Sequence, residues 1–153
     1  MHYCALAKGE CLLARHPSSV GTLPVGKRMT FALRETFESG LPPNDDHPYR
    51  SGVWQPQHRE YDAWDMDVTG EIPEDLSGVY LRNTENPLFE PIKRYHPFDG
   101  DSMMHSISFD NGEAHYANRF VRTDGFLAEQ EAKASLWAGI SEHPSNTTAE
   151  YGW

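Results

Sequence analysis

The sequence predicts an all-β chain of roughly four or five strands with little helix. Three observations carry that reading. Residues 103–109 and 114–123 flank Asn111-Gly112, the residue pair that best tolerates the positive φ angles of a type I′ hairpin turn. Val79-Tyr80-Leu81-Arg82 places apolar side chains at consecutive positions, the pattern of a strand covered on both faces. Residues 44–57 are rich in Pro, Asp and aromatic residues and lack a helical period, which suits an extended strap held over a larger body by ring contacts.

Taken in chain order, residues 1–28 mix apolar, basic and Gly-Pro-Ser patches without a period. They are expected to be disordered or a misread start, with Met29 as an alternative initiator. Residues 30–37 are predicted as a short helix ending at Gly40 and the breakers Pro42-Pro43. Residues 66–70 are predicted as a short strand. Pro73 and Gly78 then enforce a turn before the strand at Val79. In the hairpin, Asn111 and Gly112 as turn residues place Phe109 opposite Ala114, Ile107 opposite Tyr116, His105 opposite Asn118 and Met103 opposite Phe120. Ser106, Ser108, His115 and Arg119 fall on the other, more solvated face. Residues 126–133 are predicted to form a turn or two of helix from their Ala and Glu content. Strands with two apolar faces need neighbours, so this sheet calls for more strands than the chain supplies.

Composition excludes several function classes. The chain carries 23 acidic and 13 basic residues, a formal charge of -10 that repels nucleic acid and anionic lipid headgroups. It has neither a signal-like start nor an apolar run of membrane-spanning length, so it is expected to be soluble and cytoplasmic. Cys4 and Cys11 both lie in the first dozen residues and are expected to be reduced bystanders. Asn146-Thr147-Thr148 has the form of a glycosylation acceptor but is read as a polar loop. Nucleotide-binding glycine loops and a Gly-x-Ser-x-Gly elbow are absent from the sequence.

The eight histidines invite a metal reading. His58-Arg59-Glu60 is the only His-x-carboxylate triplet, the fragment of a two-histidine, one-carboxylate iron site, but a solvated charge run is the ordinary reading. His105 faces Asn118 on the apolar side of the hairpin, where a satisfied core pair is favoured over a ligand. His115 is expected to face solvent. Asp99-Gly100-Asp101, beside His96, lacks the ligand spacing of a calcium loop and is read as a tight turn whose carboxylates accept backbone N–H bonds. No residue is assigned a catalytic, cofactor-binding or metal-binding role.

Several motifs in order resemble the carotenoid oxygenase family, which includes carotenoid-cleaving and lignostilbene-cleaving dioxygenases. They are residues 70–83, Asn86-Pro87, Tyr95-His96-Pro97-Phe98-Asp99-Gly100-Asp101, Met104-His105 and Asn118-Arg119-Phe120-Val121-Arg122-Thr123. The resemblance covers residues 61–137 and, more loosely, Pro48 onward. Thr84-Glu85, where many members have Gly-Pro, and Leu136-Trp137-Ala138-Gly139 look most like the microbial stilbene-cleaving branch.

The resemblance implies that residues 29–153 supply the N-terminal strap and first strands of a seven-bladed β-propeller, incomplete in this chain. It implies a non-haem Fe(II) dioxygenase that adds dioxygen across a C=C bond of a carotenoid, apocarotenoid or hydroxylated stilbene. The iron is held in that family by four histidines from different blades, and their motifs lie later than residues 118–123. None of the four is carried over to this chain, His143-Pro144 included, and the chain alone is expected to bind no iron. Ser102 stands where the family usually has Gly, which would cost about 1 kcal/mol if positive φ were needed there. The alternatives are a non-catalytic β-rich interaction module and a truncated, non-functional reading frame.

Overall fold

The computed structural model describes residues 29–149. Cys4, Cys11 and the unmatched start lie outside the described residues. Five antiparallel strands form one sheet: β1 (Thr30–Thr36), β2 (Arg59–Trp64), β3 (Gly78–Asn86), β4 (Asp101–Asp110) and β5 (Glu113–Phe120). Their order across the sheet is β1-β2-β5-β4-β3. One helix, α1 (Asp124–Ala132), follows β5.

The hairpin forms as its turn chemistry dictates. Asn111 and Gly112 adopt φ of 48° and 74°, and the register pairs Phe109 with Ala114, Ile107 with Tyr116, His105 with Asn118 and Met103 with Phe120. On the opposite face Ser106 and Ser108 are half-buried, as is His115. β3 then pairs with β4 along its whole length, from Gly78 opposite Phe109 to Asn86 opposite Asp101.

Three expectations need correction. Residues 30–36 form a strand where a helix was expected. Thr30, Phe31 and Thr36 favour the pleated surface, and Arg34 and Glu35 find ionic partners in Asp62 and Arg122 that a helix facing solvent would forfeit. Residues 66–70 form no strand; the strand lies earlier, at β2, and ends where Asp65 turns to φ 54°. Val79, Tyr80 and Leu81 are 56–60% exposed, because no other described element covers either face of β3 there. The condition attached to Ser102 is not met: it sits in β4 without positive φ, and the positive angle falls two residues earlier, at Gly100 (φ 147°).

The core lies at one end of the sheet. Met103 and Phe120, paired across β4 and β5, pack with Leu88 and Phe89 from the loop after β3 and with Phe126 from α1. Phe37 covers this cluster edge-on, with ring centroids 4.9 Å from Phe120 and 5.4 Å from Phe126. Helix α1 starts where Thr123 accepts a hydrogen bond from Phe126 N (3.0 Å), a cap that fixes Phe126 toward the core. Sequence reasoning had placed this helix two residues late, from Ala and Glu content, and overlooked the Thr123 cap.

Two side-chain amides continue the backbone ladders. β2 and β5 share only the pairs Asp62–Ala117 and Ala63–Tyr116. Beyond them Asn118 takes over: its Oδ1 accepts from Tyr61 N (2.6 Å) and its Nδ2 donates to Arg59 O (2.9 Å). Asn86 does the same for the strap, accepting from Gln57 N (2.7 Å) and donating to Gln57 O (2.6 Å). The strap itself is anchored by buried Arg50, which pairs with Asp45 and Glu90 at 2.7 Å and lies over the Tyr95 ring.

Gly100 is constrained twice. A Cβ there would stand 2.9 Å from Pro87 N and 3.0 Å from Asn86 N, in addition to the positive φ. The Asn86-Pro87 and Asp99-Gly100 motifs are therefore one packed unit. Gly100→Ala is expected to cost about 2–3 kcal/mol, read from the denaturation midpoint. Gly70→Ala, with φ 99° and open space around it, is expected to cost only about 1 kcal/mol. Asn118→Leu removes both partners of the β2 backbone and is expected to cost about 2–4 kcal/mol by the same measurement.

Candidate functional site

The histidines among the described residues do not converge. His58 precedes β2, and burial first, then the Arg59 charge, holds its imidazole below its ordinary value. Its triplet partner Glu60 is not solvated as expected. Its carboxylate is buried, accepts from Phe120 N (2.8 Å) and pairs with Arg122 at 3.1 Å. His105 is satisfied as expected, but by Tyr116 OH (2.7 Å) and Thr84 Oγ1 (3.0 Å), not by the opposing Asn118. Burial, helped by Arg82, lowers the His105 pKa, and burial pushes the Tyr116 hydroxyl up to about 12. Thr84 and Tyr116 thus hold this ring from its two nitrogens.

His115 departs from its expectation. It stacks on Trp64 with centroids 5.0 Å apart and planes 8° from parallel, and its Nε2 lies 3.8 Å from Asp62. Asp62 sits at the centre of a charged group on this face, bonded to Arg34 and, at 3.0 Å, to Arg119. Burial alone would raise the Asp62 carboxyl, but hydrogen bonds from the two arginines hold it below its usual range.

His96 and His143 are used locally. Each accepts a backbone N–H through Nδ1, from Phe98 and Ser145 respectively, at 3.2 Å. Asn146 of the glycosylation-like triplet bonds Lys93 and Glu142. Among the described residues no group of three or more His, Cys, Asp or Glu side chains could hold a metal ion. The described residues therefore offer no ligand set that fits an iron centre.

What the structure does bring together is a cavity of about 750 Å³ between the 87–101 loop, α1 and the Trp137-Ala138-Gly139 stretch. Asp99 closes one wall as the sequence predicts for a tight turn: Oδ2 accepts from His96 N (3.1 Å) and Oδ1 from Ile140 N (2.9 Å). A Cβ at Gly139 would press on the Asp99 carboxylate, which would have to shift from its place beside Ile140 N. Glu129 of α1 fixes the third wall by accepting from Leu136 N at 2.8 Å. Asp101, at the start of β4, also lines the cavity. Burial first, then the Glu129 charge, push its carboxyl from 3.8 up to about 7. Burial likewise raises Glu129. Sequence reasoning missed this pair, because residues 28 positions apart carry no local signal of meeting.

With its motif residues serving as turns and seams, the described chain is an antiparallel β-sheet protein. The comparisons with known proteins make the class specific. The profile of the RPE65 family, described as retinal pigment epithelial membrane protein, matches residues 54–152. The chain belongs to this family, which is also that of the carotenoid oxygenases. It is 36% identical over 107 residues to a carotenoid 9,10(9′,10′)-cleavage dioxygenase of Pisum sativum, covering 69% of this chain and 19% of that protein. It is 41% identical over 91 residues to the apocarotenoid-15,15′-oxygenase of Synechocystis, covering 57% of this chain and 18% of that protein. Among solved structures, the lignostilbene dioxygenase of Pseudomonas brassicacearum superposes with a TM-score of 0.59 at 27% identity, over 64% of this chain and 21% of that one. The chain thus spans about a fifth of the length of the relatives it matches.

The raised Asp101 carboxyl has a consequence for stability. A folded-state value above the unfolded one means that the native chain holds the extra proton between 3.8 and about 7, so stability falls as pH rises through that window. Asp101→Asn is expected to flatten this slope and to melt higher than the parent chain at pH 8, as read from melting curves at pH 4, 6 and 8.

Proposed function

We propose that the chain is the N-terminal portion of a non-haem Fe(II) dioxygenase that cleaves a C=C bond of a carotenoid, apocarotenoid or hydroxylated stilbene. In this reading residues 29–153 are its strap and the first strands of a seven-bladed β-propeller. The single observation that carries it is the family match over residues 54–152 at about a fifth of the relatives' length. The relatives' names support oxidative chemistry on apolar conjugated molecules, and a cobalt-substituted form of Synechocystis ACO supports a metal cofactor for that relative.

The iron, when bound, would activate dioxygen. In the proposed enzyme its ligands lie outside residues 29–149, and no step is assigned to residues of this chain. Their role is to build the scaffold. Asn86, Gly100 and Asp99 lock the strap and the 137–140 stretch onto the sheet, and Asn118 and Glu60 join β1 and β2 to the hairpin.

Two properties of the chain suit that role. Its exposed apolar edge at β3 invites further strands, and Thr84 and Trp137 stand where the stilbene-cleaving branch is most closely resembled. No helix among the described residues is long and apolar enough to cross a membrane. A cytoplasmic location and the absence of nucleic-acid partners remain part of the proposal, resting on the net charge of -10 and the sequence composition.

The test is anaerobic titration of the purified chain with ferrous iron, followed by exposure to dioxygen with a hydroxystilbene or an apocarotenal. No stoichiometric iron uptake and no aldehyde product are expected from this chain, whereas a protein that continues through four further strand-borne histidines should show both. Stoichiometric iron binding or turnover by this chain alone would falsify the placement of the iron site elsewhere.

A further inference from the structure

Asparagine is a chemically labile residue, because its side-chain carbonyl carbon can be attacked by the main-chain nitrogen of the residue that follows, closing a five-membered imide ring. The six asparagines of the chain differ in how well they are protected from this reaction. Asn86 is barred from it, since Pro87 has no N–H. Asn118 is buried, with both atoms of its amide committed to the β2 backbone. Asn83 lies within β3 and is followed by Thr84, and Asn146 is followed by Thr147; a β-branched side chain crowds the attacking nitrogen in both cases. Asn44 precedes Asp45, whose side chain is fixed by Arg50 and by His47 N. Only Asn111 is followed by glycine.

At Asn111 each of these barriers is missing. Its side chain is exposed, and Gly112 has no Cβ to shield the attacking nitrogen. The ladder closes with Asp110 opposite Glu113, so the Gly112 N–H sits in the turn, outside the β4–β5 pairs. Ring closure requires rotation of the main chain between the two turn residues, and glycine accommodates such a change more readily than any other residue. The amide nitrogen that would be lost, Nδ2, donates to Asp110 Oδ2 at 3.1 Å.

We propose that Asn111 is a site of covalent self-modification that loosens the hairpin: the Gly112 nitrogen attacks Asn111 Cγ, and the residue becomes a mixture of isoaspartate and aspartate. In the first step the N–Cγ bond forms and the Cγ–Nδ2 bond breaks. Nδ2 leaves as ammonia, carrying the proton given up by Gly112 N. Water then opens the imide at either carbonyl. Attack at Cγ gives aspartate, and attack at the main-chain carbonyl carbon of residue 111 gives isoaspartate, whose main chain runs through the side-chain methylene. No electrons are exchanged, and water is the one co-reactant.

The products do not fit the turn that makes them. A two-residue loop sets the register of β4 against β5, and isoaspartate lengthens its main chain by one methylene. Either product also puts a carboxylate where the neutral amide donated to Asp110, next to a Glu113 that already stands opposite Asp110. β5 is the middle strand of the sheet, so the strain falls on its centre. Loss of ammonia makes the change one-way, and its rate climbs with hydroxide concentration because the Gly112 N–H must lose its proton.

The experiment is storage of the full chain at pH 6 and pH 8, with samples digested by trypsin and compared with a zero-time sample. The tryptic peptide 95–119 contains both Asn111 and Asn118, and its isoaspartyl, aspartyl and unmodified forms separate by chromatography and mass. A synthetic 95–119 peptide is stored in parallel as the unfolded reference. The expected result is conversion at residue 111 and none at Asn118, faster at pH 8, and within about tenfold of the free peptide's rate, because an exposed turn opens at little cost. The melting temperature of the stored chain falls as conversion proceeds. Asn111→Gly leaves a Gly-Gly pair that suits the same turn and should hold its melting temperature over the same period. Should that variant fail to fold, the parent chain and the free peptide decide alone. An unmodified Asn111 in the folded chain after the free peptide has converted, earlier conversion at another asparagine, or a converted chain that melts like the fresh one overturns the proposal.

Discussion

The buried amide of Asn118 is the interaction on which the sheet depends. β2 meets β5 through only two backbone pairs, and this seam is the one backbone ladder that joins β1 and β2 to the other three strands. A side-chain amide has the same donor and acceptor as a peptide group, so Asn118 extends the ladder to Tyr61 N and Arg59 O without another residue of β5 backbone. Glu60 returns the gesture from the other strand by accepting from Phe120 N. Both groups are almost fully buried, where an unmet polar atom costs far more than a surface one. The seam is therefore specific: a one-residue slip would strand two donors and a carboxylate inside the protein.

The same device explains why the family motifs contain the residues they do. Asn86 stitches the strap at Gln57, Pro87 packs on Gly100, and Asp99 receives Ile140 N. These positions look like chemistry in the sequence, being rich in His, Asp and Gly. In the fold they are connectors that bring four separate stretches to one corner, and the cavity with Asp101 and Glu129 is the space left between those stretches.

What was legible in the sequence was whatever local geometry decides. Asn111-Gly112 set the hairpin and with it four cross-strand pairs, and Asp99 behaved as the turn acceptor its spacing implied. β2 was illegible because its inward positions include Glu60 and Asp62, which read as a polar run until Arg122, Arg34 and Arg119 arrive from elsewhere in the chain. β1 was misread for a related reason: its strand form depends on the partner β2, whereas helix content could be scored from its own residues. The Asp101–Glu129 pair was out of reach for the same cause, since only tertiary packing brings it together.

The edge strand β3 has a further consequence, for handling and biogenesis. Its nine residues contain no Pro, Lys or bulge, only Arg82 and Glu85 bring charge to the edge, and Val79, Tyr80 and Leu81 stand out to solvent on both faces. Encounters between two such edges grow with the square of concentration, while folding of one chain does not. A chaperone that shields a single strand would serve this segment better than one that encloses the whole molecule.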